Sequence, residues 1–227
     1  MKKVIVITGG SDGLGKTLAE FLSKNKDVII LSPSKDKLAD VASSLNCDYQ
    51  VCDVTDYKNV EESINNIIGK YSKIDVLINN AGLWIQEELI KNNSADIKSV
   101  IEVNLLGTIY TTKAVIPTMK NNHDGLIINI NSQAGINFKA ERTVYNASKW
   151  GVTGFTKSIQ PELAGYGIRV TDVFPGMMKT NMFSKMNIDK DMSRGLDTKE
   201  VARLVQFLID TPADVTIPEI GIKNIYN

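Results

Sequence analysis

Short apolar runs rich in β-branched residues alternate with amphipathic segments along the chain. The runs predict strands at residues 4–8, 28–31, 49–51, 76–78, 126–130, 170–173 and 215–222. Between them, apolar residues recur at helical spacing, which predicts helices near residues 14–25, 35–45, 57–70, 96–120, 144–165 and 198–210. Because the runs are continuously apolar rather than alternating, we expect the strands to be covered on both faces, as in a parallel sheet.

Alternating strands and helices with right-handed crossovers predict an α/β fold: a doubly wound, parallel, seven-stranded sheet between two layers of helices. The sequence has no internal repeat, low-complexity tract or Pro/Ser-rich linker, so residues 1–227 are predicted to form a single domain.

The composition and charge of the chain argue against several classes of partner. Of 227 residues, 43% are hydrophobic, and 26 basic residues balance 26 acidic ones. A net charge of zero gives no electrostatic reason to expect a nucleic acid or an anionic membrane as partner. No stretch approaches the ~18 apolar residues needed to cross a bilayer, so a cytoplasmic protein is expected. Cys47 and Cys52 flank a predicted strand without a second pair of ligands, so no metal site is expected.

The least regular part of the sequence is residues 176–197. It contains five of the chain's seven methionines: Met177, Met178, Met182, Met186 and Met192. Methionine is flexible and polarisable, which suits a mobile apolar cover over a pocket. A loosely packed surface loop is the alternative.

A glycine-rich turn follows the first strand, and it can be interpreted in two ways. Gly9, Gly13 and Gly15 lie where a strand turns into a helix, so backbone N–H groups can approach a pyrophosphate at the helix N-terminus. The same stretch, from Gly10 to Thr17, also matches the phosphate-binding loop of NTPases.

An NTPase needs a later strand that ends in an aspartate to hold magnesium. The candidate strands end instead in Asn79-Asn80 and Asn131-Ser132. This argues for dinucleotide binding without deciding the matter.

Three polar residues further along the chain indicate proton chemistry. Tyr145 and Lys149 are four residues apart in a predicted helix, which places both on one helical face. An ammonium group beside a phenol favours the phenolate, so we expect Tyr145 to exchange its proton nearer neutral pH. Ser132 follows the strand at 126–130, at the sheet edge where substrates of open α/β sheets bind.

At this point the sequence resembles the short-chain dehydrogenase/reductase family over nearly its whole length. The resemblance rests on motifs in the family's order and spacing: Thr8-Gly9-x-x-x-Gly13-x-Gly15, Asp53-Val54, Asn79-Asn80-Ala81-Gly82, Asn104, Ser132, Tyr145-x-x-x-Lys149, and Pro175-Gly176 followed by Thr180. It implies a Rossmann fold and an enzyme that moves a hydride between a nicotinamide cofactor and a small carbonyl or alcohol substrate. The alternative to an enzyme is a scaffold protein that keeps this fold and senses a nucleotide without catalysing a reaction.

The resemblance also implies residue roles. Asn104, Ser132, Tyr145 and Lys149 fill the catalytic tetrad: Tyr145 exchanges the proton, Ser132 holds the substrate oxygen, Lys149 holds the nicotinamide ribose, and Asn104 supports Lys149 through a water chain. The expected cofactor contacts, besides Tyr145 and Lys149, are Gly9, Ser11, Asp12, Gly13, Leu14, Gly15, Ser32, Ser34, Lys35, Asp53, Val54, Asn80, Ala81, Gly82, Pro175, Gly176, Met178 and Thr180.

The end of the second strand bears on the choice of cofactor. No acid is present there to accept the ribose 2′-hydroxyl of NAD. Ser32, Ser34 and Lys35 suit the 2′-phosphate of NADP, which we therefore favour over NAD. Against this stand Asp12 and Pro33, at positions where many NADP-using relatives carry basic residues.

The substrate is the least determined feature. Trp84, Gln133, Phe138 and the methionines are expected at the pocket mouth, which favours an apolar or uncharged substrate. The helix at 198–210 and the last strand are the elements through which such proteins form homodimers or homotetramers. Arg203, Val205 and Phe207 are candidates for that surface, with ordinary core or solvent placement as the equal alternative.

Overall fold

The computed structural model describes residues 2–182 and 191–226. The strands within these residues are β1 Val4–Thr8, β2 Asp27–Ser32, β3 Asp48–Val51, β4 Val76–Asn79, β5 Gly125–Ile130, β6 Ile168–Pro175 and β7 Glu219–Ile222. The helices are α1 Gly13–Leu22, α2 Lys35–Leu45, α3 Tyr57–Tyr71, α4 Ser94–Ile101, α5 Gly107–Asn122, α6 Thr143–Ala164 and α7 Thr198–Asp210.

All seven strands form one parallel sheet in the order β3-β2-β1-β4-β5-β6-β7. The doubly wound α/β fold is thereby confirmed. The chain winds outward in both directions from β1 and β4, and the reversal opens a crevice at the carboxyl ends of these two strands. Ligands of open α/β sheets bind in such a crevice.

The sheet separates two apolar cores. Along β1, Ile5 and Ile7 pack toward α1, α2 and α7, whereas Val4 and Val6 pack toward α3, α5 and α6. Strands β1, β4, β5 and β6 are buried along their whole length, as continuous apolarity predicts. The edge strands β3 and β7 instead alternate between exposed and half-buried residues, because successive side chains point to opposite faces of the sheet and one face is less covered than the other.

Two predicted elements require correction. The single helix predicted at 96–120 is interrupted by a π-helical turn at Glu102–Leu106, which separates α4 from α5. The last strand, predicted at 215–222, begins only at Glu219. Pro218 has no N–H to donate, so regular pairing with β6 starts after it. In the described part of the chain, no helix combines the length and apolarity needed to cross a membrane.

Candidate active site

The glycine-rich turn lies at the crevice between β1 and β4. Gly9 and Gly13 have φ angles of +67° and +50°, a region that residues with a Cβ rarely occupy. A Cβ on Gly13 would lie 3.7 Å from the Thr180 side chain across the crevice. The turn therefore presents bare backbone at the N-terminus of α1, opposite Thr180, and this surface fits the phosphates of a dinucleotide.

Close packing of α1 against β1, and hydrogen bonds from the segment after β4, hold the same turn in place. A Cβ on Gly15 would lie 2.2 Å from the carbonyl oxygen of Gly9, so only glycine lets α1 approach β1 this closely. The Asn80 side chain donates to the Thr8 carbonyl (2.9 Å), and the Thr8 hydroxyl accepts from the N–H groups of Asn80 (2.9 Å) and Ala81 (3.0 Å). The segment after β4 is thus tied directly to the end of β1.

Neighbouring residues distinguish the two interpretations of the turn. Asp12 caps α1 by accepting from Gly13 N–H (2.7 Å), and Leu14 is buried beneath the helix start. Lys16 is exposed, and the Thr17 hydroxyl contacts the Thr198 hydroxyl of α7 (3.0 Å). Because Thr17 faces α7, it is not placed to hold a magnesium ion at the crevice, and the arrangement favours a dinucleotide over an NTPase site.

The end of β2 adds hydroxyls to the crevice. The buried Ser32 hydroxyl hydrogen-bonds the Ser11 hydroxyl of the glycine-rich turn (2.9 Å) and accepts from Ser34 N–H (3.4 Å). Ser34 precedes α2 without capping it through its side chain, and Lys35 is exposed on the first turn. The structure therefore brings these four predicted residues to one side of the crevice.

The remaining predicted cofactor residues line the same edge of the sheet. Asp53, after β3, accepts hydrogen bonds from Thr55 N–H (2.9 Å) and the Thr55 hydroxyl (2.8 Å). Val54 is buried against Gly107 of α5, and a Cβ on Gly82 would lie 3.4 Å from Asn104 Oδ1.

Tyr145 is almost completely buried, at 5% exposure. Its ring lies 4.3 Å from the Trp84 ring, centroid to centroid, and the Ser132 side chain lies beside its hydroxyl. Burial raises the pKa of Tyr145 to about 12, opposed by the Ser132 side chain and the charge of Arg142. The predicted shift toward neutral pH is therefore wrong for this structure, because desolvation of the phenolate outweighs the groups that stabilise it.

Lys149 lies one helical turn beyond Tyr145 and is also buried. Its Nζ donates to the Ile130 carbonyl oxygen (3.1 Å) and lies 6.0 Å from the centre of the Tyr145 ring. Burial lowers the pKa of Lys149 to about 8, and the carboxylate of Asp172 opposes this shift.

Asp172 is a member of the site that the sequence analysis missed. It is 2% exposed on β6, and burial raises its pKa to about 7. Asn131 Nδ2 donates to Asp172 Oδ2 (3.0 Å) and to the Thr153 hydroxyl (2.9 Å), which in turn donates to the Lys149 carbonyl oxygen (3.2 Å). A carboxylate inside a strand that is buried along its whole length is the signal that identifies it.

Asn104 occupies the π-helical turn and is 1% exposed. Its side chain accepts from Leu83 N–H (2.7 Å) and donates to the Leu83 carbonyl (2.9 Å) and the Ser148 hydroxyl (3.0 Å). Asn104 therefore fixes the loop before Trp84 against the helix that carries Tyr145 and Lys149.

The methionine-rich segment packs beside Tyr145 where the structure describes it. Met177, Met182 and Met192 contact the apolar cluster that contains Trp84 and Tyr145. Met178 instead packs on the core beneath α7, and Met186 falls within residues 183–190, outside the described residues.

Backbone hydrogen bonds join the two described ends of this segment. Leu196 N–H donates to the Met177 carbonyl (2.7 Å), and Lys179 N–H donates to the Leu196 carbonyl (2.9 Å). Gly176, which follows Pro175, donates to the Ile222 carbonyl of β7 (2.8 Å) and anchors the start of the segment.

Several peripheral residues can be located. Phe138 is 85% exposed and lies outside the cluster around Tyr145, so its place at a pocket mouth stays a prediction. Trp84 is part of that cluster, and Gln133 donates to the Phe174 carbonyl (2.9 Å). On α7, Val205 is fully buried in the core because it faces the sheet, so it cannot contribute to an outer surface, whereas Phe207 remains 57% exposed.

The fold and the arrangement of these residues are those expected of a dinucleotide-binding oxidoreductase. The sequence profile described as short chain dehydrogenase matches residues 3–191, and this chain belongs to that family. An uncharacterised oxidoreductase of Staphylococcus saprophyticus is 33% identical over 228 residues, covering 97% of each protein.

Solved structures agree with this assignment. The alcohol dehydrogenase of the archaeon Thermococcus sibiricus, complexed with 5-hydroxy-NADP, is 27% identical with a TM-score of 0.92, covering 100% of this chain and 98% of that one. ElxO with NADP bound is 31% identical with a TM-score of 0.89, covering 100% and 99%.

Proposed function

We propose that this chain is an NADP-dependent reductase that converts a small carbonyl compound into the alcohol. The observation that carries the proposal is the group formed by Ser132, Tyr145 and Lys149 at the carboxyl edge of β5, next to the glycine-rich crevice. A hydroxyl pair held beside a buried ammonium is suited to passing a proton to a substrate oxygen.

The proton step follows from the state of Tyr145. Its raised pKa keeps the hydroxyl protonated at neutral pH, so it is ready to donate to a carbonyl oxygen. Ser132 hydrogen-bonds the same oxygen and stabilises the charge that develops there. When bound, the nicotinamide supplies the hydride for the carbonyl carbon.

Lys149 and its supports complete the proposed machinery. The charged Lys149 stabilises the Tyr145 phenolate that remains after proton donation and holds the ribose hydroxyls of the cofactor. Asn104 holds the loop at Leu83 against α6 through hydrogen bonds to Leu83 and Ser148. The residues proposed to hold the rest of the cofactor are the glycine-rich turn, Ser11, Ser32, Ser34, Lys35, Asp53, the segment 80–82, and the turn from Pro175 to Thr180.

The preference for NADP rests on the end of β2. Ser11, Ser32, Ser34 and Lys35 offer hydroxyls and a cation where NAD-binding sites place an acid. The carboxylate of Asp12, which argued against NADP, caps α1 through Gly13 N–H instead. Two similar structures, ElxO and the Thermococcus alcohol dehydrogenase, carry NADP or a hydroxylated form of it.

Binding titrations test this proposal. The purified protein is titrated separately with NADPH, NADH and ATP–magnesium, and tryptophan fluorescence reports binding. We expect NADPH to bind more tightly than NADH and ATP–magnesium to bind poorly. A dominant response to ATP without nicotinamide binding would overturn the proposal, and equal affinities for NADPH and NADH would remove the NADP preference.

We also propose that the protein forms a homodimer or homotetramer through α7 and β7. Phe207, 57% exposed on α7, is a large apolar side chain that a partner subunit would cover. Sedimentation velocity is expected to give a dimer or tetramer for the parent protein and a smaller species for Phe207→Ser. A monomeric parent protein would contradict this.

A further inference from the structure

A cation next to Tyr145 has no part in the proton transfer described above. Arg142 directly precedes α6, and its guanidinium carbon lies 4.9 Å from the centre of the Trp84 ring. The Trp84 ring in turn lies 4.3 Å from the Tyr145 ring, with 55° between the ring planes. The guanidinium is thus one aromatic ring away from the proposed proton donor.

Arg142 lacks a counter-charge in the described part of the chain. Among residues 2–182 and 191–226, no carboxylate forms an ion pair with it and no acceptor hydrogen-bonds its guanidinium. The side chain is nevertheless half-buried, and this desolvation lowers the pKa of Arg142, opposed by Tyr145. Partly desolvated charges in proteins are usually paired, so an anion that enters the site would gain from this one.

The backbone around Arg142 is held in place before any ligand arrives. Glu87 N–H donates to the Glu141 carbonyl oxygen (2.8 Å), which ties the loop after Trp84 to the start of α6. Glu141 itself has a φ of +64°, a left-handed conformation that is uncommon for a residue with a Cβ. The position of Arg142 relative to Trp84 is therefore built into the fold.

Apolar side chains pack around the two rings that lie next to this cation. Ile85, Val144, Met177 and Met182 belong to the same cluster as Trp84 and Tyr145. A ligand that reaches both Tyr145 and Arg142 would combine a short apolar body with one anionic end.

We propose that Arg142 binds a carboxylate of the substrate, so that the protein reduces short oxo acids to hydroxy acids. The inference rests on the proposed reductase function and adds the substrate class, an anionic one where the sequence analysis favoured an apolar or uncharged substrate. A planar guanidinium can donate two parallel hydrogen bonds to a carboxylate, which orients the carbonyl group toward Tyr145. In the reaction, the carbonyl carbon accepts the hydride lost by the nicotinamide, the carbonyl oxygen accepts the Tyr145 proton, and the carboxylate is unchanged.

A kinetic comparison tests the assignment with matched acids and esters. Pyruvate, acetoacetate, levulinate and their methyl esters are reduced with saturating NADPH by the parent protein, Arg142→Met and Arg142→Lys. Lys70→Met serves as control, because Lys70 is an exposed cation on α3 that pairs with Asp48 at the amino end of β3, away from the crevice and from α7.

We expect the parent protein to prefer at least one acid over its ester. Arg142→Met is expected to lose roughly tenfold or more of that preference, mainly through KM, because a charge-assisted hydrogen bond to the carboxylate is removed. Arg142→Lys is expected to keep part of the preference and Lys70→Met all of it. Turnover of every ester at least as well as its acid, or an unchanged preference in Arg142→Met, would overturn the assignment while leaving the reductase function intact.

A binding experiment separates this inference from the proposed function. In a Trp150→Phe background, Trp84 is the remaining tryptophan, and its fluorescence is followed during titration with butyrate or its neutral counterpart butyramide. We expect butyrate alone to change the emission, and Arg142→Met to abolish the change. That result without turnover of any acid or ester would support the carboxylate site and contradict the reductase. Equal responses to butyrate and butyramide would contradict the carboxylate site.

Discussion

Replacing Asp172 with asparagine is expected to move the alkaline limb of the rate profile to lower pH. Asp172 is buried on β6, and its carboxylate is the group that opposes the loss of the Lys149 proton on burial. Asparagine has nearly the same shape and can still accept the hydrogen bond from Asn131, so the substitution removes the charge with little change in packing.

The sign of the effect follows from the two pKa values. Burial raises the pKa of Asp172 to about 7, so below that pH the carboxyl is neutral and the variant should match the parent protein. Above it, the parent protein carries a carboxylate that favours the Lys149 ammonium, whose pKa is about 8. Without the carboxylate the pKa of Lys149 falls further, so the ammonium that supports proton donation is lost earlier.

The size of the shift can be bounded. An opposite charge close to a titrating group typically moves its pKa by ~1–3 units, and we take roughly one unit for this pair. Lys149 would then be about half protonated at pH 8 in the parent protein and about one-tenth protonated in the variant, which corresponds to a roughly fivefold lower rate.

The assay is kcat/KM for carbonyl reduction at saturating NADPH between pH 5.5 and 9.5. Asp40→Asn, which removes an exposed carboxylate on α2, is the matched control and should keep the parent profile. Profiles of Asp172→Asn and the parent protein that coincide at every pH would refute the reasoning, because Asp172 would then not hold the Lys149 proton.

Two further predictions concern cofactor binding. Gly15→Ala places a Cβ 2.2 Å from the Gly9 carbonyl oxygen and should weaken NADPH binding severalfold or more. Gly69→Ala is the control and should leave binding unchanged, because its Cβ meets nothing within 4 Å. Equal NADPH affinities in these two variants would contradict the predicted geometry. Ser32→Asp adds a carboxylate beside Ser11, and this negative charge should repel the 2′-phosphate and lower the ratio of NADPH to NADH affinity. An unchanged ratio in a fluorescence titration would show that the end of β2 does not select the cofactor.

Much of the fold follows from local sequence patterns. Each predicted strand lies within or overlaps an observed one, and the helices at 35–45 and 198–210 have the predicted bounds. These elements are bounded by residues with strong local effects, such as Asp197, whose side chain caps α7. The two misassigned elements differ in cause. The late start of β7 follows from Pro218, which is visible in the sequence, whereas the π-helical turn holds Asn104 against Leu83, a residue far away in sequence.

The candidate site also combines residues that local sequence motifs reveal with residues that only the folded chain brings together. Residues in recognisable motifs could be assigned from sequence because the chemistry requires particular residue types at fixed spacings. Asp172 and Arg142 belong to no such motif, and their relation to Lys149 and Tyr145 arises only when β6, the Trp84 loop and α6 come together. The pKa of Tyr145 was predicted with the wrong sign because sequence reveals a neighbouring lysine but not the degree of burial.

Tyr145→Phe tests the central claim most directly. The variant keeps the buried ring and its contact with Trp84 but removes the hydroxyl that we propose as the proton donor. NADPH affinity and NADPH-dependent reduction of a confirmed carbonyl substrate are measured for both proteins. We predict that the variant binds NADPH as the parent protein does and loses about 10²- to 10⁴-fold in kcat, the usual contribution of general acid–base catalysis. A variant that retains most of the parent rate would contradict the assignment of Tyr145 as the proton donor.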